Sequence, residues 1–552
     1  MAEDKEAEGE IKERKADELF KEFKEVSITE FFRKNKAHLG YSGKLRSLTT
    51  VIHELVTNSL DACEESGILP EIKVEIKQLG NEHYRFTETD NGPGIPEKHI
   101  GDVFGKMLAG TKFHRNIQLR GQQGIGVTGV TLFSQMTTGK PMKITTSTGD
   151  GRIHEIKLMV DVMKNKADVI ETNIVSKLWQ GTEIEGELKG VLFNLSEHGP
   201  FEYVRRTALA NPHLKISFVD PEGRKTVFER ASDVVPRPPT EMKPHPKGLS
   251  VDELLTKSKM SDARKVSSFL ETTFARVSTS KTKELQGMVN FDLNKNPRKL
   301  TWAESEEIVQ AFEKMDFMAP SIEGIRPIGE KQIEKAFLNV LKPEFHAVVS
   351  RKPTVYSGGI PFQIEVGIAY GGSSGKPSAE GTKSEVMRFA NCVPLLFDAG
   401  GCALTEAINS VDWKRYDVKD FENSPITVFV NLVSMYVPYT SAGKQSVTGE
   451  DEIVKEIRMA LMEVGRKFQR YHSKLRRDIE KEARMNALMK YSTELAPAIA
   501  RLIGKDEKKM LKDLQDLIKK KLKMEEEREA KLEEYMEDAE PDTTFKDEEG
   551  EK

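Results

Sequence analysis

Residues 53–62 read HELVTNSLDA, and this stretch decides the fold that the sequence predicts. Apolar residues recur around it at helical spacing, which predicts a helix from Ser47 to Ala62. On that helix Glu54, Asn58 and Asp61 follow one another after four and three positions, so their side chains share one face. Such a row of polar groups is suited to holding a metal ion and a water molecule.

Two glycine-rich motifs follow this helix. In TDNGPGIP, residues 89–96, Asp90 ends a predicted strand, and Gly92 and Gly94 permit a tight turn that carries no side chain. In RGQQGIGVTG, residues 120–129, glycines precede an apolar helix, so backbone N–H groups and the helix N-terminus face an anion such as a phosphate. A carboxylate that accepts the adenine amino group and a cradle for phosphates together predict an ATP site.

Roles within this site follow from the chemistry of the side chains. Asn58 offers a hard, neutral oxygen suited to Mg²⁺, whose other positions go to phosphate oxygens and water. Glu54 lies one turn earlier and is placed to accept a proton from the attacking water, so we assign it as the general base. Each motif alone is weak, because a Glu and an Asn on a helix are mostly solvated surface and glycine-rich turns are mostly only turns.

The order of the motifs is more informative than any one of them. The sequence contains, in this order, ExxxN, DxGxG, GxxGxG and then Gly181-Thr182 on a later strand. This order resembles the pattern of the GHKL family, the ATPases that include gyrase, heat-shock chaperones, histidine kinases and MutL. The resemblance implies a GHKL (Bergerat) α/β sandwich. The expected contacts to ATP are Asn58, Asp90, Gly92, Gly94, Gly121, Gln122, Gln123, Gly124, Ile125, Gly126, Val127, Thr128 and Thr182.

Composition limits the class of protein. The chain has 552 residues, 38% hydrophobic and 31% charged, with a net charge of −4. This length predicts three or four domains, and no run reaches the roughly 18 to 20 apolar residues of a membrane span. The start lacks the apolar core of a secretory signal, and Cys63, Cys392 and Cys402 have no metal-ligand spacing. We therefore expect a cytoplasmic protein without zinc or membrane contact.

Changes in composition divide the chain into six segments. The linker 236–246 carries five prolines, and residues 243–299 carry 12 Lys/Arg against 6 Asp/Glu, a local excess of +6 (12 − 6). The predicted segments are a charged leader 1–27, an α/β domain 28–238, a basic helical module 239–317, a second α/β domain 318–470, a charged helix 471–536 and a disordered acidic tail 537–552. Strands are predicted at 72–76, 84–89, 142–147, 153–160, 181–187, 362–370 and 426–437, and helices at 28–35 and from about 451.

Long stretches narrow the family further. Three stretches carry a closer resemblance: ITEFFRKNKAHLGYSGKLRSLTTVIHELVTNSLDACEESGILPEIKVEI, KMLAGTKFHRNIQLRGQQGIGVTGV and SRKPTVYSGGIPFQIEVGIAYGG. They resemble the archaeal topoisomerase VI B-subunit family, and the resemblance covers about residues 28–470. It implies that Thr111 and Lys112 contact phosphate. It also implies that Lys444, in TSAGKQS, reaches the terminal phosphate from the second α/β domain, the transducer.

The same resemblance implies DNA contacts. Residues 239–317 would form a helix-two-turn-helix module, and Trp413 to Tyr416 match the WKxY box of the family. The candidate DNA-binding residues are Lys257, Lys259, Arg264, Lys265, Trp413, Lys414, Arg415 and Tyr416. A Trp next to a Tyr is as often core packing, and that alternative stays open.

The expected function is that of an ATP-hydrolysing type II DNA topoisomerase subunit. The resemblance implies ATP and Mg²⁺ as cofactors, dimerisation on ATP binding and a captured DNA duplex. It also implies a cleaving partner, the topoisomerase VI A subunit, in an A2B2 heterotetramer that relaxes and decatenates DNA. An apolar stripe from Leu514 to Leu522 on the last helix is the expected docking surface for that partner. Two alternatives share the nucleotide site: a MutL-like DNA clamp without strand passage, and a chaperone-type ATPase.

Overall fold

A computed structural model describes most of the chain. It covers residues 34, 36, 39–107, 118, 120–121, 126–162, 164–238, 240, 242–247, 249–318, 324–356, 360–379, 381–441, 443–504 and 506–537. The chain falls into two compact units, Met1–Arg466 and Lys467–Lys552. The predicted helix at 28–35 and the acidic tail 537–552 lie almost entirely outside the described residues, and the finer domain limits remain predictions.

The first-sheet region, residues 44–228, is built around the predicted helix. That helix, α1, spans Lys44–Glu65 and is longer at both ends than predicted. The other helices are α2 (Glu97–Gly105), α3 (Gly126–Thr138) and α4 (Pro200–Ala210). The strands are β1 (Glu71–Gly80), β2 (His83–Asp90), β3 (Met142–Thr148), β4 (Arg152–Asp161), β5 (Lys166–Ser176), β6 (Gln180–Lys189), β7 (Lys215–Val219) and β8 (Lys225–Phe228).

These eight strands form one sheet in the order β5-β4-β3-β6-β2-β1-β7-β8. Only β1 and β7 of the adjacent pairs run parallel. Strand β2 alternates buried and half-buried residues, as expected for a sheet with one covered face. Leu48, Val51, Ile52, Leu55 and Val56 of α1 are fully buried in the core that this sheet shares with α3 and α4. The core therefore fixes the opposite, polar face of α1 toward the glycine motifs.

A helical module follows the proline-rich linker, which carries no helix or strand among its described residues. Its helices are α5 (Val251–Met260), α6 (Val266–Thr273), α7 (Thr279–Gln286) and α8 (Trp302–Lys314), with a 3-10 turn at Pro297–Lys299. Ser250 caps α5, and Thr301 and Glu304 form a capping box on α8. Phe269, Phe274 and Phe312 centre a core that is separate from the first.

Among its described residues, the second-sheet region, residues 324–466, contains eight strands, six of them in one sheet, and two short α-helices. The helices are α9 (Glu330–Val340) and α10 (Ala403–Asn409). The strands are β9 (Phe345–Ser350), β10 (Thr354–Tyr356), β11 (Ile360–Tyr370), β12 (Lys376–Ser378), β13 (Gly381–Lys383), β14 (Glu385–Ala390), β15 (Val393–Pro394) and β16 (Ile426–Ser434). The six run β10-β11-β16-β14-β15 with β9 on β11, and β12 pairs with β13 alone. Leu209 and Ala210 of α4 belong to the core of this region, so the two regions are packed together.

The carboxyl-terminal helices are α11 (Asp451–Ile503) and α12 (Glu507–Glu537). The predicted start near residue 451 is confirmed. The charged helical segment expected over 471–536 consists of two helices, because Gly504 adopts φ 65° and ends α11 in the left-handed conformation that favours glycine. No helix within the described part of the chain is both long enough and apolar enough to span a membrane.

Candidate nucleotide site

The polar face of α1 carries two side chains that line the predicted site. The Asn58 amide nitrogen donates to the Glu54 backbone carbonyl, which leaves its oxygen Oδ1 on the side of Gly121; a Cβ placed on Gly121 would lie 3.7 Å from it. The Glu54 side chain is 26% exposed, so water reaches it. Asp61 is different: it is buried and ion-paired to Arg120, with Oδ1 3.1 Å from Nη1. The expected row of three therefore supplies Glu54 and Asn58 to the site, while Asp61 pairs with Arg120 and accepts from Gly121 N at 3.4 Å.

Glu54 lies against the start of α3. A Cβ on Gly126 would come within 2.1 Å of Glu54 Oε2, so only glycine permits this approach. Helix α3 begins at Gly126, and its first N–H groups lack partners within the helix. Val127 packs against the core. The buried Thr128 hydroxyl donates to the carbonyls of Val103 and Lys106, so its side chain is committed to α2 and only its backbone remains to contact a phosphate.

Asp90 is a buried carboxylate at the end of β2. It accepts hydrogen bonds from Ser59 Oγ at 2.8 Å, Gly92 N at 2.8 Å and Thr182 N at 3.2 Å. Burial raises the pKa of Asp90 above its ordinary range, although the three hydrogen bonds oppose the shift. A carboxylate accepts about four hydrogen bonds, so the three donors leave one acceptor position, on Oδ2.

The turn after Asp90 requires glycine at position 94. Gly94 has φ 72°, and a Cβ there would lie 2.0 Å from the Ser147 carbonyl oxygen. Behind the turn, Thr146 and Thr182 are buried with their hydroxyl oxygens 3.1 Å apart, and Thr146 accepts from Ile95 N. Thr182 therefore lies beside Asp90, to which its backbone N–H donates, and its contact with ATP stays a prediction.

Lys444 reaches this site from the second-sheet region. Its Nζ donates to the Arg120 carbonyl at 3.1 Å, immediately before Gly121. The backbone of Lys444 is left-handed, with φ 51°, in a tight turn that starts at Ser441. Burial lowers the pKa of the neighbouring His53, and Lys444 contributes to the same shift while Glu54 opposes it. The lysine and the general-base candidate thus lie in one electrostatic neighbourhood.

The sequence analysis did not predict a buried ionic cluster around Arg120. The Arg120 guanidinium contacts both oxygens of Glu64, at 2.8 and 2.7 Å, and Asn211 Oδ1 at 2.6 Å. His213 Nε2 is 2.8 Å from Glu64 as well. Burial alone would raise the pKa of Glu64, but Arg120 and His213 pull it below its ordinary range. The available signal was the position of Glu64, three residues after Asp61 and therefore on the same helix face.

Several predicted residues lie outside the described part of the chain. They are Thr111, Lys112, Gln122, Gln123, Gly124 and Ile125. Among the residues the structure does describe, no group of three or more His, Cys, Asp or Glu side chains could hold a metal ion. A divalent cation at Asn58 would therefore take most of its oxygen ligands from phosphate and water, which suits Mg²⁺.

The candidate DNA-binding residues divide into exposed and buried groups. Trp413 and Tyr416 are each 7% exposed, and the Trp413 ring stacks on Phe421 at 4.7 Å. These two side chains are packed in the protein, and the core-packing alternative describes them. Lys414 and Arg415 between them are exposed. In the helical module Lys259, Arg264 and Lys265 are exposed and Lys257 is half-buried, so they remain candidates.

The fold and the site together define an ATPase of the GHKL class, with a sheet covered by helices, a Glu and an Asn one turn apart, and a buried acceptor carboxylate. Residues 43–162 match the family model of histidine kinase-, DNA gyrase B- and HSP90-like ATPases. Residues 320–484 match the model of the topoisomerase VI B subunit transducer.

Curated relatives identify the family. The chain is 47% identical to the B subunit of type 2 DNA topoisomerase 6 from Pyrococcus horikoshii, with 94% of this chain and 99% of that one covered. It is 50% identical to the protein of that name from Methanothermobacter thermautotrophicus, covering 93% and 98%, and 46% identical to that of Thermococcus kodakarensis, covering 95% and 100%. The chain belongs to the family of type 2 DNA topoisomerase 6 B subunits. The predicted fold class and the predicted ATP-driven topoisomerase subunit are confirmed over the clamp and chaperone alternatives.

Proposed function

We propose that this chain binds ATP with Mg²⁺ between α1 and α3 and hydrolyses it, with Glu54 as the general base. The observation that carries the proposal is the approach of Glu54 to the start of α3. The carboxylate is partly exposed, lies one turn from Asn58, and lies so close to Gly126 that an added Cβ there would displace it. A water between Glu54 and a phosphate held at the α3 N-terminus would lose its proton to the carboxylate as it attacks.

Adenine and the cation would bind to groups that already have the required positions. The remaining acceptor position of Asp90 would receive the adenine amino group, which distinguishes adenine from a base with a carbonyl there. Asn58 Oδ1 would ligate Mg²⁺. When bound, the cation neutralises charge that develops on the phosphate oxygens. Lys444, whose ammonium already lies beside the cradle, would contact the terminal phosphate and signal its loss to the second-sheet region.

At the level of the complex, we propose that two copies close on ATP binding and capture a DNA duplex. A partner equivalent to the topoisomerase VI A subunit would cut a second duplex in an A2B2 assembly, and hydrolysis would reset the gate after strand passage. The product would be relaxed or decatenated DNA. The names of the relatives support a topoisomerase, and the exposed Lys414 and Arg415 have the charge that phosphate contact requires.

The nucleotide site is tested by ATP binding and hydrolysis in the full chain. Glu54→Gln keeps the size of the side chain and removes the base, so we expect kcat to fall by about 100-fold or more while ATP still binds. Glu65→Gln is the matched control, because Glu65 is an exposed residue at the end of the same helix. Full hydrolysis by Glu54→Gln would assign the base to another residue, and an equal loss of hydrolysis in Glu65→Gln would show that the effect does not come from removal of the base.

A further inference from the structure

Gln118 and Arg120 precede the glycine cradle, and both are joined to the second-sheet region. Gln118 pairs with Arg326 in both directions: its Oε1 accepts from Arg326 N at 2.7 Å, and its Nε2 donates to Arg326 O at 3.2 Å. On the other side of Arg120, Asn211 accepts from the guanidinium and donates to the Cys392 carbonyl at 3.2 Å. The stretch of chain that leads into the cradle is thus held at two points of the second-sheet region.

Lys444 adds a third link at the same place. Its ammonium donates to the backbone carbonyl of Arg120, the residue whose guanidinium is fixed by Glu64, Asp61 and Asn211. The carbonyl oxygen belongs to the same residue as the guanidinium. The ion pairs that hold the Arg120 side chain therefore also restrict the position of the carbonyl that accepts from Lys444. Displacement of Arg120 would move this acceptor and the adjoining Gly121 together.

The junction is not packed like a core at this point. A cavity of about 330 Å³ separates the two regions, and its lining includes Arg120, Asn211, Arg326 and Cys392. Ala210 and Cys392 pack in one apolar cluster beside the cavity, whereas Gln118 and Lys444 make polar links to the chain that precedes the cradle. The polar links of Gln118, Asn211 and Lys444 therefore join the chain that leads into the cradle to the second-sheet region, alongside the apolar packing of Leu209 and Ala210.

We propose that Gln118 and Arg120 are positioning residues that couple the nucleotide cradle to Lys444 and the second-sheet region. The inference rests on the proposed function, because it gives these residues a part in reading the nucleotide state. It assigns them no contact with the reacting atoms. A network of buried polar groups with defined partners on both sides suits such a role, because its members act as a unit.

A double-mutant cycle between Gln118 and Lys444 tests the coupling. Gln118→Leu is close in size and removes both bonds to Arg326. We expect it to lower kcat for ATP hydrolysis about tenfold and to leave the Kd for ADP within about twofold. In a Lys444→Ala background the same substitution should change kcat by less than about twofold, because the lysine through which Gln118 acts is gone. A structural defect alone would lower kcat equally in both backgrounds.

Two further variants make the cycle decisive. Asn211→Ala removes the link to Cys392 from the other side of Arg120 and should show the same dependence on Lys444. Arg46→Met breaks a bidentate pair with Asp398 elsewhere between the two regions, and its effect should simply add to that of Lys444→Ala. Tenfold losses for Gln118→Leu and Asn211→Ala that persist without Lys444 would overturn the coupling while wild-type hydrolysis still supports the proposed function. A wild-type chain that binds ATP without hydrolysing it would overturn both.

Discussion

A single added methyl group at Gly126 should disable hydrolysis without unfolding the protein. In Gly126→Ala the new Cβ would lie 2.1 Å from Glu54 Oε2 and 2.9 Å from its Cδ. Ordinary contact begins at 3.4 Å, so the carboxylate oxygen must retreat by about 1.3 Å (3.4 − 2.1). The Glu54 side chain is flexible and partly exposed, so it can rotate away at small cost.

The expected effect on activity is much larger than the effect on stability. Displacement of a catalytic group by about 1 Å costs on the order of 100-fold in rate, which predicts a fall in kcat of that size for Gly126→Ala. Gly126 is the first residue of α3, so the preference of a helix interior for alanine adds little, and rotation of the flexible Glu54 side chain relieves the crowding. The free energy of unfolding should therefore change by no more than about 1 kcal/mol.

Steady-state ATP hydrolysis, the Kd for a non-hydrolysable ATP analogue and thermal unfolding would be measured on the same preparations. Gly101→Ala is the matched control: Gly101 lies in α2 of the same region, and a Cβ there would meet Ala167 Cβ at an ordinary 3.4 Å. Normal kcat in Gly126→Ala would refute the placement of Glu54. Loss of analogue binding would show instead that the methyl group blocks the nucleotide.

Three further predictions concern Asp90, Glu88 on the same strand β2, and the candidate DNA-binding residues. Asp90→Asn replaces a carboxylate acceptor with an amide that is partly a donor, so the Kd for ATP should rise about 10 to 100-fold. Because burial raises the pKa of Asp90, the affinity of the wild type for ATP should also fall as the pH decreases. This fall should start at a higher pH than for an ordinary aspartate. Burial raises the pKa of Glu88 well above its usual value, so the folded chain keeps a proton that the unfolded chain loses above about pH 4.3, and stability falls as pH rises. Urea titrations should show the stability advantage of Glu88→Gln over wild type growing as the pH rises above about 4.3, and parallel pH profiles would contradict this. The double variant Lys414→Ala/Arg415→Ala should weaken DNA binding and reduce the slope of log Kd against log salt concentration by about 2. Unchanged salt dependence in this variant would remove both residues from the interface. Trp413→Ala should mainly lower the free energy of unfolding, by about 3 to 5 kcal/mol.

Local patterns predicted the elements that have one buried face. Helix α1 and the five strands expected in the first sheet were found, because alternating or helical burial marks such elements in any single sequence. Strand β5 was missed: it is an edge strand exposed along nearly its whole length, so KADVIETNIVS has no buried period to detect. Strands β7 and β8 are short, at five and four residues, and a run of that length carries little periodicity.

The site was predictable where spacing along one element determines geometry. Glu54 and Asn58 are one turn apart on a helix, and Asp90 needs only its strand and two glycines. The Arg120 cluster was indicated only by the position of Glu64 on the face of Asp61, because Asn211 and Arg326 are distant in sequence and come close to it only through tertiary packing. Trp413 illustrates the converse, since a family motif marked it for DNA contact and tertiary packing buries it.

Relaxation of a supercoiled plasmid with ATP and Mg²⁺ tests most directly whether ATP hydrolysis at Glu54 drives strand passage with a cleaving partner. The reactions would contain the purified chain, the candidate cleavage protein, both together, and both with Glu54→Ala. We expect ATP-dependent relaxation only when both proteins are present, and its loss or restriction to a single turnover in Glu54→Ala. Absence of relaxation, despite intact ATP hydrolysis and a demonstrated complex, would contradict strand passage and favour a DNA clamp.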